Sequence, residues 1–405
     1  MDALRLPSRT STTITHVLWA RAVRDFGDGF VAVLLPVYLL ALGLGPLQVG
    51  IVATAALLGS ALLTLGIGFL GARHDHRWLL LAAAGLMIAT GVAFALVDNY
   101  AILLVVAFAG TANPSAGSVS VFVPLEHAVM ARAAASDERT RMFAHYGLVG
   151  ALAGAAGSLA AAIPDLVAPL GVGQLTALKT MFVLYACLGL LGGIFYRRIP
   201  QRTCSEDRPA ASALGPSRHT VYKLAALFSL DAFAGGFVVQ SLLALWLFER
   251  FDLSLAAAGT FFFWSGVLSA LSLPVAAWLS KRIGLINTMV FTHIPSSIAL
   301  VLAAVAPTLH TALALLLIRA ALSQMDVPTR SSYVMAVVTE AERAAAASLT
   351  SVPRSLAAAV SPMLAGALFA ASFRAWPLVI CGGLKIAYDL LLLIQFRHLK
   401  PPEER

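Results

Sequence analysis

The chain has 405 residues, of which 59% are hydrophobic and only 12% are charged, and its mean hydropathy is +0.85. Soluble domains carry roughly 25% charged residues, so this composition excludes an ordinary soluble protein and indicates a polytopic membrane protein. The net charge of +8 follows from basic loops and does not indicate nucleic-acid binding. The three cysteines have no CxxC spacing, so neither a disulfide framework nor a metal site is indicated, and we expect no cofactor.

Apolar segments long enough to cross a ~30 Å hydrocarbon core as helices follow one another along the whole chain. They are predicted at 15–42, 47–70, 78–97, 101–131, 143–169, 176–196, 220–248, 254–279, 286–306, 309–338, 344–372 and 376–396. Basic residues concentrate in alternate loops and in both tails, which predicts cytoplasmic termini in the cell (inner) membrane. The fold class is therefore predicted as all-α and polytopic, with about twelve transmembrane helices.

A polar stretch rich in Arg, Ser and Pro at 198–219 predicts a cytoplasmic linker between two six-helix bundles, at 1–197 and 220–405. An offset of 204 residues places Val123-Pro124 on Val327-Pro328, which indicates a half-molecule repeat. The same register places Glu126 of the fourth span opposite Arg330 of the tenth. These two residues are candidates for an ion pair that forms across the halves in only one state of the protein.

The first span carries four charges within a membrane-length segment. Arg21, Arg24, Asp25 and Asp28 fall within an arc of roughly 100° on a helix and share one face. Left unpaired, the four would cost on the order of 10 kcal/mol in a bilayer, so they must be paired or face water. The spacing of four predicts the pairs Arg21–Asp25 and Arg24–Asp28 within the helix. Aligning the first and seventh spans sets Arg24, or Asp25 in a shifted register, against Asp231.

The fourth and tenth spans also contain polar stripes. The fourth has Asn113, Ser120 and Glu126 in a segment interrupted by glycine and proline, and the tenth has Arg319, Ser323, Asp326 and Arg330 on one helix face, with Gln324 beside them. Pro328 removes a backbone hydrogen bond and predicts a kink next to Asp326.

Three further features favour structural roles. Lys385 and Asp389 in the twelfth span are spaced by four and predict a structural ion pair. Arg354 is interpreted as an interfacial cation at the start of the eleventh span. Glycines at 147, 150, 154 and 157 in the fifth span predict a face for close helix packing.

Several stretches resemble one transporter family. LLPVYLLALGLGPLQVGIVATA (34–55) resembles the corresponding segment of the major facilitator superfamily, particularly its drug-efflux branches. GFLGARHDHRWLL (68–80) is similar to that family's signature loop through Gly68, Arg73 and Arg77, although Ala72 occupies the acidic position. In the second half, WLSKRIGLI (278–286) has a similar pattern through Arg282 and Gly284, which makes these five residues gating-loop candidates.

The resemblance implies a secondary transporter with alternating access, and proton-coupled export of a small, partly apolar molecule is the leading prediction. A proton carrier must be able to become neutral in a partly desolvated site. The candidates are Asp28, Asp25, Asp326, Asp231 and Glu126, with Asp28 first because it lies nearest the predicted midplane. Candidate substrate-cavity residues are Arg24, Asn113, Ser120, Arg319, Ser323, Gln324 and Arg330.

Two alternatives remain open. Uptake of an organic anion or metabolite would use Arg24, Arg319 and Arg330 as a cationic site, and a non-transporting membrane receptor could share the fold. The chain shows no spacing typical of an enzyme and no phosphate-cradling P-loop. The expected partners are therefore a small-molecule substrate, protons and membrane lipid, with no nucleic acid, and the protein is expected to act as a monomer.

Overall fold

The computed structural model describes residues 8–70, 74–115, 120–133, 139–201, 215–339 and 342–397. These ranges are helical with connecting turns and contain no strand, which confirms the predicted all-α class. Ten helical segments within them are long and apolar enough to span a membrane. The first and fourth predicted spans are not among these ten and bring the number to twelve. The first is left out because it carries four charges, and the fourth because it is broken into two short helices.

The first compact unit contains eight helices of the described chain and the start of a ninth. They are α1 Ser8–Ala41, α2 Pro46–Leu70, α3 His76–Leu96, α4 Tyr100–Ala109, α5 Phe122–Ala133, α6 Arg139–Ala160, α7 Ile163–Val167 and α8 Gln174–Arg197, together with Leu253–Phe263. The central helix is α1, which packs against both α6 and α8, while α3 packs against α8. Polar groups on α1 therefore face protein.

Close packing of α1 on α6 depends on the predicted glycine face. A Cβ added at Gly157 would lie 2.7 Å from the backbone carbonyl carbon of Phe26, and one added at Gly29 would lie 2.9 Å from that of Gly154. Neither helix can carry a larger side chain at these points without separating from the other. The interpretation of the fifth-span glycines as a packing face agrees with these contacts.

The second compact unit contains the remaining helices of the described ranges, and Pro46–Gly50. These helices are α9 Arg218–Gly236, α10 Gln240–Phe251, α11 Leu255–Ile283 from Trp264 onward, α12 Leu285–Ala304, α13 Leu309–Ser323, α14 Asp326–Ala336, α15 Arg343–Ala370 and α16 Trp376–Phe396. Helix α9 packs against α15 and α16, and α12 packs against α13 and α16. An apolar core that includes Phe228, Tyr333 and Tyr388 lies among them.

Four spans predicted as single helices are interrupted. The fifth, predicted at 143–169, is divided into α6 and the short α7. The fourth is divided into α4 and α5, the seventh into α9 and α10, and the tenth into α13 and α14. Pro124 and Pro328 are each the third residue of the second piece, where the first helical turn lacks intrahelical N–H bonds and tolerates proline. Helix α14 begins 204 residues after α5, so the two breaks follow the register of the sequence repeat.

The turn before α15 is fixed to the start of α9 by one carboxylate. Glu342 accepts hydrogen bonds from the Thr339 hydroxyl at 2.7 Å, the Ser217 hydroxyl at 2.8 Å and the Gly215 N–H at 2.6 Å. The bonds from Thr339 and Ser217 hold the pKa of Glu342 at about 2. The predicted linker lies mostly at 202–214, outside the described residues, so its boundaries stay a prediction.

Candidate functional site

The charges of α1 form a buried cluster with Glu126 of α5, referred to below as the first cluster. Arg21 Nε lies 2.6 Å from Asp25 Oδ2, which confirms the first predicted pair. Arg24 donates to Asp25 Oδ1 from its NH2 at 3.1 Å and to Glu126 Oε2 from its NH1 at 3.0 Å. Arg24, Asp25, Asp28 and Glu126 are each at most 2% exposed, so the predicted polar face of α1 is enclosed by protein.

Glu126 is satisfied entirely within the first unit. Besides Arg24, it accepts hydrogen bonds from the hydroxyls of Tyr196, at 2.5 Å, and Tyr146. Glu126 therefore has partners in its own unit, and the ion pair with Arg330 in another state of the protein stays a prediction. The two tyrosines were missed by sequence reasoning, because they lie 70 and 20 residues from Glu126 and an aromatic residue in an apolar span gives no signal of a polar partner.

Asp28 differs from the other acids of the first cluster. The predicted pair Arg24–Asp28 is wrong, because the Arg24 guanidinium is directed to Asp25 and Glu126. Asp28 Oδ1 accepts a hydrogen bond from the Tyr185 hydroxyl at 3.2 Å, and that hydroxyl also lies 3.1 Å from the carbonyl of Thr111. Among the described residues, no cation lies within ion-pair distance of Asp28. It is therefore a buried carboxylate with a neutral partner.

A second cluster joins α9, α12, α14 and α16 in the other unit. Asp231 is its centre: Oδ2 lies 3.1 Å from Arg330 NH1, and Oδ1 lies 2.5 Å from Lys385 Nζ. Arg330 also pairs with Asp326, four residues earlier, at 3.1 Å. The polar stripe of the tenth span thus contributes two of its members to one site, together with the predicted acid of the seventh span.

The charges of the twelfth span are bound to other helices rather than to each other. Asp389 contacts His293 Nδ1 at 3.0 Å, and Lys385 Nζ lies 3.2 Å from His293 Nε2. The predicted structural pair Lys385–Asp389 is therefore wrong. Lys385 donating to Nε2 requires the neutral tautomer with hydrogen on Nδ1, which then donates to Asp389. His293, which the sequence analysis missed, connects Asp389 to Asp231 through Lys385.

Arg354 does not lie at the start of its helix. Helix α15 begins at Arg343, so Arg354 lies about 16 Å along the helix. Its Nε is buried without a hydrogen-bond partner, and its electrostatic neighbours include Arg330, Asp231 and Asp326. Arg319 is separate from these carboxylates, since no carboxylate among the described residues lies within ion-pair distance of it.

The remaining predicted cavity residues lie at the breaks between helices. Asn113 Oδ1 accepts the backbone N–H of Ser115 at 2.8 Å, and Ser120 Oγ accepts that of Phe122 at 3.4 Å. Ser323 ends α13, and Gln324 is exposed in the turn that follows. The structure gives Asn113 and Ser120 a local turn-forming contact and brings none of the four into either cluster.

The gating-loop candidates are partly described. Gly68 lies in the last turn of α2, and Arg73 lies outside the described residues. Asp75 of the same loop caps α3, because its side chain accepts the N–H of Arg77 at 3.0 Å. Gly284 has a φ of +86°, which fits glycine at the tight turn between α11 and α12, and Arg282 stacks on the Trp278 ring at 4.4 Å.

The main ion pairs of the two clusters correspond, with their charges exchanged. In the first unit the cation Arg24 is on the first span and the acid Glu126 is on the fourth. In the second unit the acid Asp231 is on the seventh span and the cation Arg330 is on the tenth. Glu126 and Arg330 are each the fifth residue of their half-helix. The repeat thus preserves the position of an ion pair and reverses its polarity.

Comparison with known proteins agrees with this architecture. The solved structure of the nucleoside transporter NupG is 14% identical and has a TM-score of 0.73, covering 95% of this chain and 100% of that one. A bacterial homologue of the human lysosomal transporter Spinster is 13% identical with a TM-score of 0.71, over 96% of both chains. The human organic anion transporter MFSD10 is 16% identical with a TM-score of 0.64, over 96% of this chain and 100% of that one.

Sequence comparison reaches the same family. The membrane protein YJR124C of Saccharomyces cerevisiae, described as uncharacterized, is 22% identical over 94% of this chain and 93% of its own length. The family profile described as Major Facilitator Superfamily matches residues 17–230 and 224–405. Because these matches cover nearly the whole sequence, the chain belongs to the Major Facilitator Superfamily.

Proposed function

We propose that this protein is a proton-coupled secondary transporter that works by alternating access of its two bundles, with Asp28 as the proton site. The proposal rests on the difference between the partners of the three carboxylates in the first cluster. Asp25 and Glu126 are held by arginines, whereas Asp28 has the neutral Tyr185 hydroxyl as its hydrogen-bond partner. A buried carboxylate without a cation is costly in its charged form, and a bound proton removes that cost.

The same conclusion follows from the charge balance. The first cluster contains three carboxylates, Asp25, Asp28 and Glu126, and two cations, Arg21 and Arg24. One proton makes the cluster neutral. A proton moving through 100 mV supplies about 2.3 kcal/mol, enough for a roughly fifty-fold substrate gradient.

For direction, the proposal is export of a small, partly apolar molecule from the cell across the inner membrane. It is supported by the resemblance of residues 34–55 to drug-efflux members and by the basic loops that favour cytoplasmic termini. The two packed units each contain a complete buried cluster, which is consistent with function as a monomer.

The experiment is a protonation measurement that needs no substrate. Infrared spectra of the protein in lipid should show a protonated-carboxylic-acid carbonyl band that titrates with pH and is absent from Asp28→Asn. The matched control is Asp98→Asn, because Asp98 is 55% exposed and pairs with Lys179 at the surface. If Asp28→Asn keeps the band, or if its liposomes still accumulate the substrate found by metabolite profiling with unchanged pH dependence, Asp28 is not the proton site.

A second candidate function is proton-coupled uptake of an organic anion. It is favoured by a surplus of cations in the spans of the second unit, where Arg354 and Arg319 have no carboxylate within ion-pair distance among the described residues. The similar solved structure of MFSD10 is that of an organic anion transporter. Movement of substrate and protons into liposomes in the same direction would favour this candidate, whereas movement in opposite directions would favour export.

A further inference from the structure

The spans of the second unit contain more permanent positive charges than carboxylates. The cations are Arg319, Arg330, Arg354 and Lys385, and the carboxylates are Asp231, Asp326 and Asp389. Arg330 and Lys385 share Asp231, and Asp389 is bound to His293. All three carboxylates therefore have partners, and one cation is in excess among these seven charges. The exposed Lys223 of α9 and the charges near the helix ends are not counted. The imbalance is opposite in sign to that of the first cluster.

Arg354 lies nearest to this cluster without joining it. No carboxylate among the described residues is within ion-pair distance of its guanidinium, although Asp231 and Asp326 are electrostatic neighbours. Its Nε is buried and has no hydrogen-bond partner. The hydroxyl of Tyr388, which is fully buried and is another electrostatic neighbour of Arg354, also lacks a partner. Two hydrogen-bond donors near the middle of the bundle thus have no protein acceptor.

Buried donors without acceptors are rare in proteins, and an intramembrane cation is tolerated when it faces a partner or a polar cavity. A guanidinium is suited to a planar or tetrahedral oxyanion, because its N–H groups can donate two parallel hydrogen bonds. Arg319 is a weaker choice, since it lies away from the carboxylates of this cluster.

We propose that Arg354, with the hydroxyl of Tyr388, binds an anionic group of the transported molecule, either a carboxylate or a phosphate. This assignment rests on the proposed transport function and adds the chemical class of its substrate. The first unit then supplies the proton site and the second supplies the anion site.

The test is arginine modification of the full-length protein in lipid nanodiscs. Phenylglyoxal is applied, and adducts at individual arginines are followed by peptide mass spectrometry. Arg354 should react faster than Arg24, whose guanidinium is held by two carboxylates. At about ten times its Kd, benzoate or phenyl phosphate should slow modification of Arg354 by about tenfold, because roughly one site in eleven is then free to react, whereas neutral benzamide should not. The two anions distinguish a carboxylate site from a phosphate site.

Variants complete the test. Arg354→Gln should lose benzoate binding measured by saturation-transfer NMR, Arg354→Lys should retain part of it, and Arg374→Gln, a half-exposed position on the same unit, should leave it unchanged. Protection by benzamide equal to that by the anions, absence of protection at Arg354, or protection at Arg319 instead would overturn the assignment.

The result is separable from the proposed proton site. Asp28→Asn should abolish proton-driven flux and keep anion protection of Arg354, since the two residues belong to different units. Anion protection in a protein without proton-driven flux would refute the proton coupling and support the anion site. Proton-driven flux of neutral solutes without anion protection would support the proton coupling and refute the anion site.

Discussion

Replacement of Arg24 by methionine is expected to destabilise the first unit more than any single change at its two acids. Arg24 NH1 is 3.0 Å from Glu126, and its NH2 is 3.1 Å from Asp25. The guanidinium also lies 4.6 Å above the ring of Phe122. Methionine preserves the apolar volume and removes the charge, so the loss of stability measures the contribution of the ion pairs.

The expected loss of stability follows from the partners that Asp25 and Glu126 retain after the substitution. Asp25 retains Arg21 at 2.6 Å, but Glu126, which is fully buried, retains only tyrosine hydroxyls. Breaking a buried ion pair by removing one partner costs about 3–5 kcal/mol, which is a large part of the about 5–15 kcal/mol that stabilises a domain. Glu126→Gln should cost less, because its amide oxygen still accepts from one tyrosine hydroxyl, its NH2 can donate to the oxygen of the other, and Arg24 keeps Asp25.

The assay is a double-mutant cycle in mixed micelles, with equilibrium unfolding by a denaturing detergent followed by circular dichroism. Arg24→Met combined with Glu126→Gln should recover part of the loss, giving a coupling of about 2 kcal/mol or more. The control is Lys179→Met, which removes a surface ion pair to Asp98 and should cost at most about 1 kcal/mol. An Arg24→Met variant no less stable than Lys179→Met, or strictly additive losses, would refute the argument.

Three further changes have defined outcomes. Gly29→Ala should destabilise the packing of α1 on α6 by about 1–3 kcal/mol, because the new Cβ would lie 2.9 Å from the carbonyl carbon of Gly154; thermal unfolding measures this. Lys385→Met should cost about 2 kcal/mol in the mixed-micelle assay, since Asp231 loses a hydrogen bond from a charged donor at 2.5 Å. The pKa of Glu342 is about 2, against an ordinary value of 4.5. Its hydrogen bonds should therefore stabilise the fold fully above about pH 4.5 and progressively less as the pH falls toward 2. Glu342→Gln should show a flatter dependence of stability on pH in this range.

Matched controls exist for each of these changes. Gly85→Ala adds a Cβ where no atom lies within 4 Å, so equal losses at positions 29 and 85 would contradict the close-packing argument. Arg374→Met removes a cation from an exposed pair of the second unit, and a similar loss there and at Lys385 would contradict the buried role of Lys385. An acid-stability profile of Glu342→Gln identical to that of the wild type would contradict the role of the carboxylate.

The helices were predictable because membrane thickness sets their length. The twelfth span was predicted at 376–396, and α16 occupies Trp376–Phe396. The break in the tenth span could be predicted from Pro328, since proline removes a backbone hydrogen bond. The break in the seventh follows the pair Gly235-Gly236. It was not predicted, because glycine weakens a helix but is also common inside transmembrane helices.

The site was predictable only where partners lie on one helix. Spacing by four found Arg21–Asp25 on α1. The same rule failed for Lys385–Asp389, because His293 of α12 and Asp231 of α9 are nearer partners. Helical geometry defines which face a charge occupies, but which other helix meets that face depends on tertiary packing, and no spacing within one sequence encodes it.

The reversed polarity of the two main ion pairs has a consequence for the ancestry of the chain. A duplicated half starts with two identical pairs, so the present Arg24–Glu126 and Asp231–Arg330 arrangement requires two substitutions in one half. Either substitution made directly would leave two buried charges of the same sign in contact, which is strongly destabilising. The accessible route passes through an uncharged pair. Relatives with an amide or apolar pair at one of these two places would be the surviving intermediates of that route.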